Sequence, residues 1–144
     1  MKNSMEIKFK AVAENEAFAR NVVASFILPL NPSINELSDI KTAVSEAVTN
    51  AVVHAYPEKP GNIIMKVTTE KNKIQISIAD NGVGIQDIER ALTPFYTSKP
   101  EQERSGMGFT VMESFMDRLE VRNNKEGLVV NMFKEIQNDE VVGL

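Results

Sequence analysis

Ile63-Ile64-Met65-Lys66-Val67-Thr68-Thr69-Glu70, then Lys71-Asn72-Lys73, then Ile74-Gln75-Ile76-Ser77-Ile78-Ala79-Asp80, is the stretch that decides the fold. Side chains alternate across a strand, so Ile63, Met65 and Val67 share one side, as do Ile74, Ile76 and Ile78. The polar Lys71-Asn72-Lys73 between them reads as a hairpin turn. Two strands joined this tightly are antiparallel neighbours, each with one apolar side to bury.

Outward from the hairpin, Met5, Ile7, Phe9 and Ala11 alternate with Glu6, Lys8 and Lys10, a further half-buried strand. From Asn15 to Leu28, Phe18, Ala19, Val22 and Phe26 fall at helical spacing, and Pro29 stops the helix. Ser33 with Glu36 forms a capping box after Pro32. A long helix follows, with Leu37, Ile40, Val44, Ala47, Val48, Ala51 and Ala55 on one stripe, ended by Tyr56-Pro57 and Lys59-Pro60-Gly61. Beyond Gly84 a short helix, Gln86 to Leu92, leads into a polar loop, Thr93 to Met107, long enough to be a lid. A helix from Gly108 to about Met116 and strands around Leu119–Arg122 and Leu128–Phe133, flanking an Asn123–Gly127 turn, complete residues 1–136. Residues from Gln137 to Leu144 read as a frayed tail. Hairpins with grouped helices define an α+β class, helices on one sheet face.

The chain has 144 residues, enough for one domain with a real core. Its 42% hydrophobic and 25% charged content is that of an ordinary globular protein. No apolar run reaches the length of a membrane span and the N-terminus lacks a signal pattern, so the expectation is a cytoplasmic protein with no membrane partner. With no cysteine, disulfides and thiolate metal sites are excluded. A net charge of -4 argues against direct nucleic-acid binding but leaves room for a nucleotide, which needs only local positive potential.

Three short segments carry the chemistry. In Ser45-Glu46-Ala47-Val48-Thr49-Asn50-Ala51, Glu46 and Asn50 are one helical turn apart and share a face distinct from the apolar stripe. The amide oxygen suits Mg²⁺, and a carboxylate one turn away can take a proton from a hydroxyl. Alone, the pair reads more simply as a solvated helix face. Asp80-Asn81-Gly82-Val83-Gly84 ends a strand, where a buried Asp calls for a hydrogen-bond donor and the glycines admit a flat ring. Alone, it reads equally as a plain turn. Arg104-Ser105-Gly106-Met107-Gly108 opens a helix, whose free amides and dipole receive phosphate oxygens, with Lys99 and Arg104 adding charge. The G-x-x-x-x-G-K-[ST] pattern and the protein-kinase elements are absent.

The order and spacing of the three segments resemble the N, G1 and G2 boxes of the Bergerat-fold (GHKL) ATP-binding family, which includes DNA gyrase B, Hsp90-type chaperones and histidine-kinase ATPase domains. Glu14-Asn15-Glu16-Ala17-Phe18-Ala19-Arg20, Ser45 to Ala51 and Glu103 to Phe109 look like its SpoIIAB-type anti-sigma kinases. The resemblance spans roughly Met5 to Val130. It implies a two-layer α/β sandwich with a mixed, mostly antiparallel sheet, helices on one face and an ATP lid. It also implies a serine protein kinase that sequesters a sigma factor, phosphorylates an anti-anti-sigma protein and forms a homodimer, in sporulation or, alternatively, in a general stress response. By the same resemblance Glu46 is the general base and Asn50 the Mg²⁺ ligand. Asp80 reads the adenine amino group and Gly82 and Gly84 make room for the base. Lys99, Arg104, Ser105, Gly106, Met107 and Gly108 lie against the ATP phosphates, and Glu16 and Arg20 form a face for protein partners. Family members often carry Gly-Thr in the late strand, with the threonine near the aspartate. Here Leu128 follows Gly127, which predicts weaker nucleotide affinity or a looser purine choice. A different class of function, a binding module in which nucleotide only sets partner affinity, would leave Glu46 dispensable.

Overall fold

The computed structural model describes residues 2–55, 60–82, 108–124 and 127–138. The expected helix at Gln86–Leu92 and the lid from Thr93 to Met107 lie outside the described residues. Strands β1 (Lys2–Lys10), β2 (Asn62–Glu70), β3 (Lys73–Asp80), β4 (Arg118–Asn124) and β5 (Gly127–Glu135) form one sheet in the order β1-β2-β3-β5-β4. The sheet, expected as mixed and mostly antiparallel, is antiparallel at all four pairings among the described strands. Helices α1 (Asn15–Ile27), α2 (Ile34–Asn50) and α3 (Gly108–Phe115) pack side by side, α2 in the middle.

The alternation read from the sequence sets which sheet face is covered. Met65 pairs with Ile7 and Ile78, and Val67 with Met5 and Ile76, so these residues share a face across neighbouring strands. That face joins Ile40, Ala43, Val44, Ala47 and Val48 of α2 and Phe109 and Met112 of α3 in one core. The hairpin turns at Lys71, held at φ 56°, and Asn72. Asn72 has a second role: its carbonyl accepts the Ile136 N–H at 2.7 Å and its amide donates to the Ile136 carbonyl at 3.1 Å.

Several expectations are corrected. Ala19 is buried as its spacing requires, but Phe18 is half exposed; α1 also buries Val23 and Ile27, with Val22 and Phe26 at the margin. Phe18 meets the buried Phe9 edge-on, centroids 6.3 Å apart, and so covers the border of the core. Pro29 does end α1, but the chain tightens into a 3₁₀ turn, Leu28–Leu30, before Asn31 turns left-handed at φ 54°. The β4–β5 pairing reaches Asn124 opposite Gly127, so the expected Asn123–Gly127 turn is largely strand. Gln137 and Asn138, at the start of the expected frayed tail, are held, and residues 139–144 lie outside the described residues. The Gln137 and Asn138 N–H groups donate to the Glu36 carboxylate at 2.6 and 3.2 Å.

The capping box forms as read: the Glu36 N–H donates to Ser33 Oγ and the Ser33 N–H to Glu36 Oε1. After Asn50 the helix widens into a π turn, Ala51–Ala55, a feature enriched at functional sites.

Candidate active site

The direction of each element follows from contacts at its ends. Glu36, in the first turn of α2, holds Gln137, just past the end of β5, and Asn72 of the β2–β3 turn holds Ile136. The start of α2 therefore lies at the hairpin end of the sheet. A helix of 17 residues rises about 25 Å, which carries Asn50 to the opposite end, where β3 stops at Asp80 and β5 starts at Gly127. For α3 the Phe115 carbonyl accepts from Lys134 Nζ at 3.2 Å, and the Asp117 N–H donates to the Phe133 carbonyl. Its last turn thus sits toward the hairpin end and its first residue, Gly108, points the other way. The end of α2, the end of β3 and the beginning of α3 share one end of the molecule.

Asp80 is 5% exposed, on the helix-covered side of the sheet opposite Ile63. Its Oδ1 accepts the N–H of Gly82 at 2.9 Å and the N–H of Leu128 at 3.3 Å. Burial raises its pKa above the usual carboxylate range, and the two hydrogen bonds offset this only in part. The hydroxyl that the Leu128 position lacks is thus met by a backbone donor from the same residue, whose apolar side chain is buried in the core. Glu46 and Asn50, one turn apart near the end of α2, are both half-buried. Among the described residues no group of three or more His, Asp or Glu side chains could hold a metal alone. The single amide oxygen of Asn50 fits a Mg²⁺ ion that keeps several waters and shares its ligands with phosphates. Gly108 is buried at the first position of α3.

Glu16 and Arg20 stand apart from this group, on α1. Arg20 Nη1 donates to both Glu16 oxygens, at 2.7 and 2.9 Å. Gly84, Lys99, Arg104, Ser105, Gly106 and Met107 lie outside the described residues. One residue the sequence reading passed over is Gly127. At φ 140° it lies so close to Asp80 that a Cβ would stand 2.2 Å from the Asp80 carbonyl oxygen and 2.7 Å from Oδ1. A glycine where a strand begins is the signal for such an approach.

Sheet, helix layer and gathered motifs define a class, the histidine kinase-like ATPase domain, whose family profile matches residues 9–134. Within it the chain belongs to the anti-sigma F factor family. It is 51% identical to the anti-sigma F factor of Pasteuria penetrans, over 94% of this chain and 93% of that one. It is likewise 51% identical to that of Oceanobacillus iheyensis, over 99% of both. A crystal structure of the RsbU and RsbW domains of a Mycobacterium tuberculosis protein matches 93% of this chain and 32% of that one. The TM-score is 0.67 at 15% identity, a likeness of fold.

Proposed function

We propose that this chain is an anti-sigma factor that binds a sigma factor of RNA polymerase and uses Mg²⁺-ATP to phosphorylate a serine of an anti-anti-sigma protein. We further infer that it works as a cytoplasmic homodimer in sporulation. The observation that carries the reading is the gathering of Asp80, the Glu46–Asn50 turn and the start of α3 at one end of the sheet, in a chain half identical to anti-sigma F factors over nearly its whole length.

In this reading Asp80 accepts a hydrogen bond from the adenine amino group, and Gly82 and Gly84 leave space for the ring. Bound Mg²⁺ neutralises phosphate charge, and Asn50 holds it. Glu46, one turn before Asn50, takes the proton of the attacking serine hydroxyl. Lys99, Arg104, Ser105, Gly106, Met107 and Gly108 receive the phosphates, whose transfer depends mainly on positioning and charge neutralisation. Glu16 and Arg20 serve a protein partner. A half-buried i, i+4 helix pair of this kind is worth only about 0.3–0.5 kcal/mol, so exchanging it for a partner's charges costs little.

The test is phosphoserine formation on the cognate anti-anti-sigma protein with Mg²⁺-ATP. Glu46→Ala is expected to lower transfer by about 100-fold or more, the scale of general-base catalysis, with ATP affinity kept. Undiminished transfer in that variant would strip Glu46 of its role. A parent chain that binds ATP and never transfers phosphate would be a nucleotide-regulated binding module.

A further inference from the structure

We propose that Gly127 is a positioning residue for base recognition: lacking a side chain, it lets β5 start against Asp80 and so fixes which carboxylate oxygen faces the ligand. The inference rests on the reading of Asp80 as the base acceptor and adds how that acceptor is aimed. The terminal torsion of an aspartate is soft, so burial alone does not orient its two oxygens. Here two backbone amides from different segments, Gly82 after β3 and Leu128 at the start of β5, converge on Oδ1. A hydrogen bond from each sets the plane of the carboxylate and, among the described residues, leaves Oδ2 for a ligand donor.

The Leu128 amide reaches Asp80 only because position 127 is empty. A methyl group there would meet the Asp80 main-chain oxygen at 2.2 Å, which no side-chain rotation relieves, and the backbone at φ 140° is itself one that L side chains rarely adopt. Any residue larger than glycine pushes β5 away and takes the Leu128 N–H with it. Because the donor is a backbone group, the side chain at 128 has no part in aiming Asp80. One acceptor oxygen then reads one hydrogen of an exocyclic amino group, and a carbonyl in that place opposes the carboxylate.

The experiment is calorimetric binding of Mg²⁺-ATP and Mg²⁺-ITP, which carries an oxo group in place of the amino group, to the parent, Gly127→Ala and Asp80→Asn. The parent is expected to prefer ATP by at least about tenfold, the loss of one well-made hydrogen bond. In Gly127→Ala the preference collapses through loss of ATP affinity, with ITP affinity little changed. A Gly127→Ala variant that keeps the parent's preference overturns the proposal. If Asp80→Asn binds ATP as well as the parent, the reading of Asp80 itself fails, which is a separate result. Should Gly127→Ala not fold, N6-methyl-ATP on the parent decides: affinity within about threefold of ATP fits one oxygen reading one hydrogen, and a loss as large as that of ITP refutes it.

Discussion

Asp80 holds two opposed demands in one side chain, since the site needs an acceptor and the core resists a charge. Burial raises its pKa in the fold, so the native state binds the proton more firmly than the unfolded chain does. Its contribution to stability is therefore greatest below the ordinary Asp value and declines as pH rises through the raised one. Asp80→Asn removes that titration. Thermal unfolding of the ligand-free protein over roughly pH 4 to 8 should show the variant gaining on the parent as pH rises, and a difference constant with pH would contradict the assignment. The same variant should lose stabilisation by nucleotide. At about 100 times Kd a ligand adds about 2.7 kcal/mol, or roughly 5–10 °C in Tm for a domain of this size, and Asp80→Asn should show none of it with Mg²⁺-ATP. At this scale Asp80 was legible in the sequence, because an Asp closing an apolar strand before two glycines calls for a donor. Its partners were not. A backbone N–H standing in for a hydroxyl leaves no trace in residue type, and Gly127 makes sense only when β5 is seen lying against β3.

Helix α2 shows most clearly what a segment's own pattern determines and what it leaves to the rest of the chain. The capping box and the stripe through Ile40, Val44, Ala47 and Val48 depend on neighbours three and four residues away, and both were readable. Ser33→Ala should cost about 1 kcal/mol by freeing the first-turn amides. Ile40→Ala, at a fully buried position, should cost about 2–5 kcal/mol. Chemical denaturation measures both, and a value under 1 kcal/mol for Ile40 would mean that the core around it collapses to fill the space. What the pattern did not contain was long-range. The outward turn of Phe18 follows from its place beside Phe9, next to last in β1, which is itself an edge strand. The hold of Glu36 on Gln137 joins residues 101 positions apart, and the π turn after Asn50 breaks the helical period without a marker in the stripe. The segment from Val83 to Met107 gave its motifs by composition alone, as phosphate-binding glycines do, without periodicity to fix their backbone.

Taken as one body, the protein keeps its structural tether and its chemistry at opposite ends of α2, and this separation has a measurable consequence. At the hairpin end, burial pushes the Glu36 carboxyl up, but hydrogen bonds from the N–H groups of Gln137, Ser33 and Asn138 and from the Ser33 hydroxyl outweigh it, and the pKa falls below its ordinary value. A lowered carboxylate pKa means that the stabilisation is present above the unfolded value and disappears as pH falls through the native one. Glu36→Ala should therefore cost about 1–3 kcal/mol near neutral pH, from amides left without an acceptor, and progressively less in acid. Glu46 and Asn50 lie about 15 and 21 Å further along α2 and Asp80 beyond them at the opposite end of the sheet, and the printed partners of Asp80, Gly82 and Leu128, are not those of Glu36. Sites so far apart contribute independently, so the stability changes of Glu36→Ala and Asp80→Asn should add within about 0.5 kcal/mol in the double variant. The ATP affinity of Glu36→Ala should match the parent's within about twofold, well under the tenfold that 1.4 kcal/mol represents. Unfolding curves and calorimetry on the two single variants and the double variant settle the matter. A coupling above 1 kcal/mol, or an ATP affinity that shifts with Glu36, would show that α2 transmits the state of the C-terminal segment to the site instead of merely spanning the distance between them.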